Sequence, residues 1–240
     1  MKRGKKRRGQ MSDSVPVMLL LTLSGGLQDA YSYGVRGKVF ANAQTGNIVL
    51  FSEHLFSGEF SDCLRYFVPV LFFALGVAAA EQLRARCGRY RCIHWRQLVA
   101  GAEMLLLFAV GFMPEGLNWL ANALTSFSCA MQVQAFRKVN GSAYASTMCI
   151  GNLRSGMEHL SRYARTGERE HLRNGGRYLG IILVFALGAG LGGLLCGALG
   201  RRAIWISCLL LAAGFGLMFL PEEKELLREL EQEAEEKAEQ

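Results

Sequence analysis

Two polar phrases set in apolar sequence carry most of the chemistry this chain could do. The first is Thr45-Gly46-Asn47, five further residues, then Glu53-His54-Leu55. The second has Thr147, then Gly151-Asn152, five further residues and Glu158-His159-Leu160, an offset of 105 residues between the Gly-Asn pairs. An Asn side chain both donates and accepts, and Gly permits a sharp backbone turn. If a helix begins at either phrase, its free amides and positive end face whatever lies there. The candidate solute-binding residues are therefore Gln28, Asp29, Thr45, Gly46 and Asn47 in the first part of the chain, with Gln132, Thr147, Gly151 and Asn152 in the second. Gln132 and Gln134 stand where the first part has Gln28 and Ala30, so Asp29 has no counterpart. A proton relay could draw on Asp29, Glu53, His54, Glu103, Glu158 and His159, with Glu103 alternatively partnered by an Arg such as Arg154. Adjacent Glu-His residues diverge on a helix, so no metal site is expected from them, nor any cofactor. No GK[ST] loop, HExxH or GxSxG motif is present, and an enzyme is not expected.

The elements that must position these residues are membrane helices. Hydrophobic residues make up 51% of the chain and Gly numbers 28. The runs 116–136, 178–200 and 203–221, of 21, 23 and 19 residues, contain no Asp, Glu, Lys or Arg. A helix of about 20 apolar residues crosses a bilayer. The pattern predicts an all-α polytopic membrane protein with six spans at 15–35, 64–84, 97–113, 117–137, 178–200 and 203–220, plus two broken or re-entrant polar elements. The formal charge of +7 does not imply nucleic acid, because the basic residues flank the spans. The expected partners are the lipid bilayer and a small solute. Gly188, Gly192, Gly193 and Gly197 form a small-residue face that packs the halves together or seals a homo-oligomer. The scattered cysteines read as small core residues and free thiols.

Basic clusters mark the cytoplasmic side of spans. They occur in the N-tail (Lys2 to Arg8), around Arg84–Arg96 and around Arg162–Arg177. All three fall on one side only if each polar element enters and leaves the membrane on the same face. Both termini are then cytoplasmic, in a bacterial inner membrane. Three spans per half is an odd number, which makes the internal repeat inverted. A full crossing by each polar element, giving eight spans and parallel repeats, is the alternative. Further matches support the repeat: Phe73-Ala74-Leu75-Gly76 recurs as Phe185-Ala186-Leu187-Gly188, 112 residues on. The chain divides into a basic tail 1–14, repeats 15–114 and 115–221, and an acidic helix or tail 222–240.

Gly26-Leu27-Gln28-Asp29-Ala30 followed by Phe40-Ala41-Asn42-Ala43-Gln44-Thr45-Gly46-Asn47 resembles the first signature of the YoaK-type family of bacterial integral membrane proteins. Ala145-Ser146-Thr147 with Gly151-Asn152-Leu153-Arg154-Ser155 resembles the second, with Ile150 where the family has Thr. The resemblance covers roughly 15–220. It implies a multi-pass inner-membrane protein and brings no substrate with it. The reading is a transporter or channel for a small polar or charged solute. The alternative is a non-transport membrane protein, a sensor or an assembly factor for partner proteins.

Overall fold

The computed structural model describes residues 14–87, 95–139, 142–143 and 146–219. The basic N-tail, Arg89, Arg91, Ala145 and the acidic segment 222–240 lie outside the described residues. The chain is built from α1 (Val15–Val35), α2 (Gln44–Phe56), α3 (Phe60–Cys87), α4 (Trp95–Phe112), α5 (Asn118–Ala135), α6 (Cys149–Thr166), α7 (Arg169–Leu199) and α8 (Ile204–Leu217). A two-residue antiparallel pairing of Lys138–Val139 with Ser142–Ala143 lies between α5 and α6.

Phe60–Arg86, Trp95–Phe112 and Arg169–Leu217 are long and apolar enough to cross a membrane; the last is α7, a 3-10 turn at Gly200–Ala203, and α8. The expected six spans are therefore met by length and composition in only part. The helices α1 and α5 are long enough but carry Ser24, Gln28, Asp29, Asn122, Thr125, Ser126, Ser128 and Gln132, which dilute their hydropathy. Every one of those polar side chains is buried. The outer faces show the reverse pattern. Leu64, Phe67, Leu71 and Leu75 on α3, and Leu183, Leu187, Leu191 and Leu194 on α7, are exposed at helical spacing. Polar groups inside and aliphatic stripes outside suit hydrocarbon as the surrounding medium. α7 also begins nine residues before the expected span at 178, carrying Arg169, Arg173 and Arg177 on its first turns.

The core lies among α1, α4, α5 and α8, where Val17, Leu21, Tyr31, Leu107, Val110, Met131, Ile204 and Leu211 form one buried cluster. α1 packs along α7, and α5 along α3. α2 folds back on α3, and α6 on α7. α8 lies against α1, α4 against α5, and α4 and α8 meet each other. Glycine is what allows the closest of these approaches. A Cβ on Gly26 or Gly188 would run into the backbone of the facing helix, at Phe185 and Leu23 respectively, and one on Gly76 would run into Phe127.

The ends of the bundle are tied by hydrogen bonds. Buried Arg36, just after α1, donates to Val110 O at 2.7 Å and Met113 O at 2.9 Å at the end of α4, and to Asn118 Oδ1 at 3.0 Å at the start of α5. Its Nε donates to the Tyr31 hydroxyl at 2.7 Å. The guanidinium thereby satisfies carbonyls that a helix end leaves free. Arg201, after α7, donates to the same Met113 O at 3.1 Å. At the opposite end, Gln134 near the end of α5 donates to Glu81 near the end of α3.

Candidate functional site

α1 and α5 each present a Gln to one acid on α4. Gln28 Nε2 donates to Glu103 Oε1 at 3.2 Å and to Ser24 Oγ at 3.0 Å. The Gln132 amide, oriented with its nitrogen toward the acid, donates to Glu103 Oε1 at 2.8 Å and Oε2 at 3.1 Å. Its oxygen then accepts from Ser146 Oγ at 3.2 Å. The Cys129 thiol donates to Gln28 Oε1 at 2.6 Å. Glu103 has no exposed surface, and among the described residues no Lys, Arg or His pairs with it. Arg154, the cation suggested by sequence, is exposed on α6, so that pairing is not made. Held only by neutral donors, a buried acid keeps its proton or takes up a cation.

Asp29 sits one residue beyond Gln28 on α1 and faces a different element. Its Oδ1 accepts the Asn42 backbone N–H at 2.7 Å. The approach to α2 is thereby anchored to the middle of α1. Ser32 Oγ, which donates to Asp29 O at 3.2 Å, accepts the Ala41 N–H at 3.1 Å. Asn42 Nδ2 donates to Gly25 O at 3.2 Å, again on α1. Asn47 closes the same loop from α2: its amide donates to Phe40 O at 2.7 Å and accepts from Phe40 N at 3.1 Å. Asn47 is thus a clasp that turns the chain into α2. Asn42 Oδ1 and Ser126 Oγ are buried with no hydrogen-bond partner among the described residues.

The lead-in to α6 comes to the same place. Thr147 packs its methyl against Gly25, with the Asn42 amide on the same side of that glycine, so the two polar elements begin at one point on α1. In the second of them Ser146, through Gln132, holds the lead-in of α6 to α5. No acid does so, because Val133 occupies the position after Gln132.

The chain belongs to a family of unknown function, DUF1275. The family description is "Protein of unknown function (DUF1275)", and it matches residues 17–217. No curated protein and no solved structure gives a significant match. The matched range takes in every described helix but the first two residues of α1. The match agrees with the YoaK-type resemblance, and both concern a family without an assigned activity.

Within this DUF1275 chain the expected site residues separate into two groups. Gln28, Asp29, Asn47, Gln132, Asn152 and Glu103 are buried, and Thr147 borders the centre. Thr45 and Gly151 are exposed, and Gly46 makes room for the Phe40 ring. The Glu-His residues are not brought to the centre. His54 lies seven residues along α2 from Asn47, about 10 Å at 1.5 Å per residue. Its Nδ1 is 2.6 Å from Glu59 Oε2, while its neighbour Glu53 is exposed. His159 Nδ1 is 3.2 Å from His171 Nδ1, and Glu158 forms a surface pair with Arg162 at 2.6 Å. Sequence reasoning missed Asn42, Ser146 and Cys129 as members of the centre. Asn42 and Ser146 were visible within the two signatures, but nothing marked Cys129. Arg36 carried a signal as well: with Lys38 it is a basic residue at the far end of the first span, away from the basic clusters.

Proposed function

We propose that this protein is a transporter or channel that passes a small polar or charged solute through a site centred on Glu103. The single observation that carries this is the meeting of Gln28 and Gln132 on one buried carboxyl that pairs with no cation among the described residues, Gln28 lying on the same helix, α1, where both polar elements begin at Gly25. Such a carboxyl is a natural receptor for a proton or a cationic group. Asn42 Oδ1 and Ser126 Oγ, buried without a hydrogen-bond partner among the described residues, are further polar atoms inside the bundle that a solute could use.

An inverted repeat in six spans is part of the same reading. Shifting α1–α4 onto α5–α8 exchanges the packing pairs: α1 on α7 becomes α5 on α3, and α2 on α3 becomes α6 on α7. Gln28 and Gln132 are related by 104 residues, as are Leu23 and Phe127, which meet Gly188 and Gly76. Arg36 and Arg201 tie the ends of α1, α4 and α7 together, so α2, which ends where α3 begins, rises toward that side. α6 ends where α7 begins and so descends to the opposite one. With the basic clusters inside, α2 is the outer re-entrant helix and α6 the inner, in a bacterial inner membrane with cytoplasmic termini.

The non-transport alternative draws on one feature. Gly190, Gly193 and Gly197 on α7 have nothing packed over them, which suits a partner helix. A flux screen in proteoliposomes separates the readings. Transport predicts uptake of a polar solute above empty liposomes, lost in Glu103→Gln. A partner role predicts no uptake of any solute, and co-purification of a membrane protein that Gly193→Leu releases.

A further inference from the structure

We propose that the turn joining α2 to α3 is a divalent transition-metal site, with His54, Glu59 and Asp62 as ligands and Zn2+ as the best-suited ion. One ligand atom from each of the three lies within 4.8 Å of the others. They reach that point from two elements. His54 comes from the last turn of α2, Glu59 from the turn itself and Asp62 from the first turn of α3.

The turn is fixed before any ion arrives. Gly58 takes φ +78, which a side chain would resist, and the Glu59 N–H donates to His54 O at 2.9 Å. Glu59 O in turn accepts from the Asp62 and Cys63 N–H groups at 3.1 and 3.2 Å. The His54 ring stacks on Tyr66 with centroids 5.4 Å apart and an interplanar angle of 6°. Imidazole orientation, often the costly part of building a metal site, is thus set by packing.

A simple ion-pair clamp between α2 and α3 would need only His54 and Glu59. The third member brings a second carboxylate to the same point, and like charges there favour an added cation. Arg65 answers this in part, donating to Asp62 Oδ1 at 3.5 Å. A carboxylate has a second oxygen, so that contact does not exhaust Asp62. With metal–ligand distances of about 2.1 Å, tetrahedral ligands stand roughly 3.4 Å apart. His54 Nδ1 and Glu59 Oε2, now 2.6 Å apart, would separate by less than 1 Å to admit the ion. One nitrogen and two oxygen ligands with an open position suit Zn2+ better than Mg2+ or Ca2+, which prefer all-oxygen shells.

The second half supplies a comparison on the same chain. His159 stands 105 residues after His54, and His171 and Tyr178 stand 112 after Glu59 and Tyr66. There the ring stacks on Tyr178 and its Nδ1 is 3.2 Å from His171 Nδ1. His171 Nε2 is turned to Glu168 at 3.5 Å, so that carboxylate orients the ring instead of joining the ligand set. The half-two counterpart is therefore a two-ligand version and a weaker binder.

The test is calorimetric titration of ZnCl2 into chelator-stripped, full-length protein in nanodiscs, with MgCl2 as control. We expect the tightest Zn2+ isotherm to fit one ion per chain and Mg2+ to give no binding isotherm. Asp62→Asn and His54→Ala should each weaken that Zn2+ site by more than about tenfold, and His159→Ala should leave it unchanged. Asp62 is half-exposed, so its Asn variant keeps the test valid if the His54 variant does not fold. Zn2+ binding of wild-type strength in Asp62→Asn, or loss of the tight site in His159→Ala alone, would overturn the assignment.

Discussion

The first half of the molecule anchors its short helix with a carboxyl group, and the second half anchors its own with a Gln and a Ser. In the first, Asp29 accepts the Asn42 N–H and Asn42 reaches Gly25 O. In the second, Gln132 meets Ser146, and Val133 stands where the acid would be. Yet both halves deliver one Gln each to Glu103. The lesson is that the two acids have separable tasks. Asp29 belongs to one half and holds a loop in place. Glu103 takes one amide from α1 and one from α5. Of these two candidate relay acids, Glu103 is therefore the one whose substitution should affect function more.

The comparison breaks most violently at the crossed packing pairs. Gly188→Leu and Gly76→Leu should each prevent assembly of the bundle, since each side chain would collide with the backbone of a facing helix. Gly193→Leu, with nothing within 4 Å of its Cβ position, should leave a folded monomer. Size-exclusion profiles of detergent-solubilised protein check all three. A normal profile for one of the first two but not the other would show that the halves do not pack equivalently.

Arg36 gives the next largest effect. Arg36→Leu strands the Val110 carbonyl at the end of α4 and the Tyr31 hydroxyl, while Met113 O keeps Arg201, and should cost about 3–5 kcal/mol, read as a fall in thermal midpoint. At the centre, Gln28→Leu and Gln132→Leu should each cost about 1–3 kcal/mol by leaving Glu103 with one amide. Equal losses would support a shared carboxyl, and a loss in only one would assign Glu103 to a single half. Glu103→Gln should leave the fold intact while changing solute flux.

Asp29→Val makes the first half like the second. It should cost about 1–3 kcal/mol and speed amide exchange at Ala41 and Asn42, with α6 unaffected. The smallest effect belongs to the surface. Glu158→Gln removes an exposed pair with Arg162 and should change stability by less than about 1 kcal/mol.

How much of this was legible in the sequence differs by level. Among the described residues, apolar runs foreshadowed α1, α3, α4, α5, α7 and α8, because burial in lipid demands long apolar stretches that stand out from charged loops; the repeated phrases marked where α2 and α6 begin. The extent of α7 was not legible: its first turns carry Arg169, Arg173 and Arg177, and a hydropathy reading stops at charge although a helix need not. Gln28 and Gln132 could be paired from their common spacing. That both would turn to Glu103 could not, since the acid lies on a helix with no acidic counterpart in the other half and the contact depends on how four helices cross. Spacing alone also tied Glu53 to His54, whereas the turn at Gly58 delivers Glu59 to that ring instead.

The central claim is that α2 and α6 come to one centre from opposite faces of the membrane. Single cysteines at Phe56, 92% exposed at the end of α2, and at Arg165, exposed near the end of α6, test it on a background without native cysteines. An impermeant thiol reagent added to intact cells should label position 56 and reach position 165 only after the cells are opened. Labelling of both positions in intact cells, or of neither until lysis, would place the two short helices on the same side and contradict it.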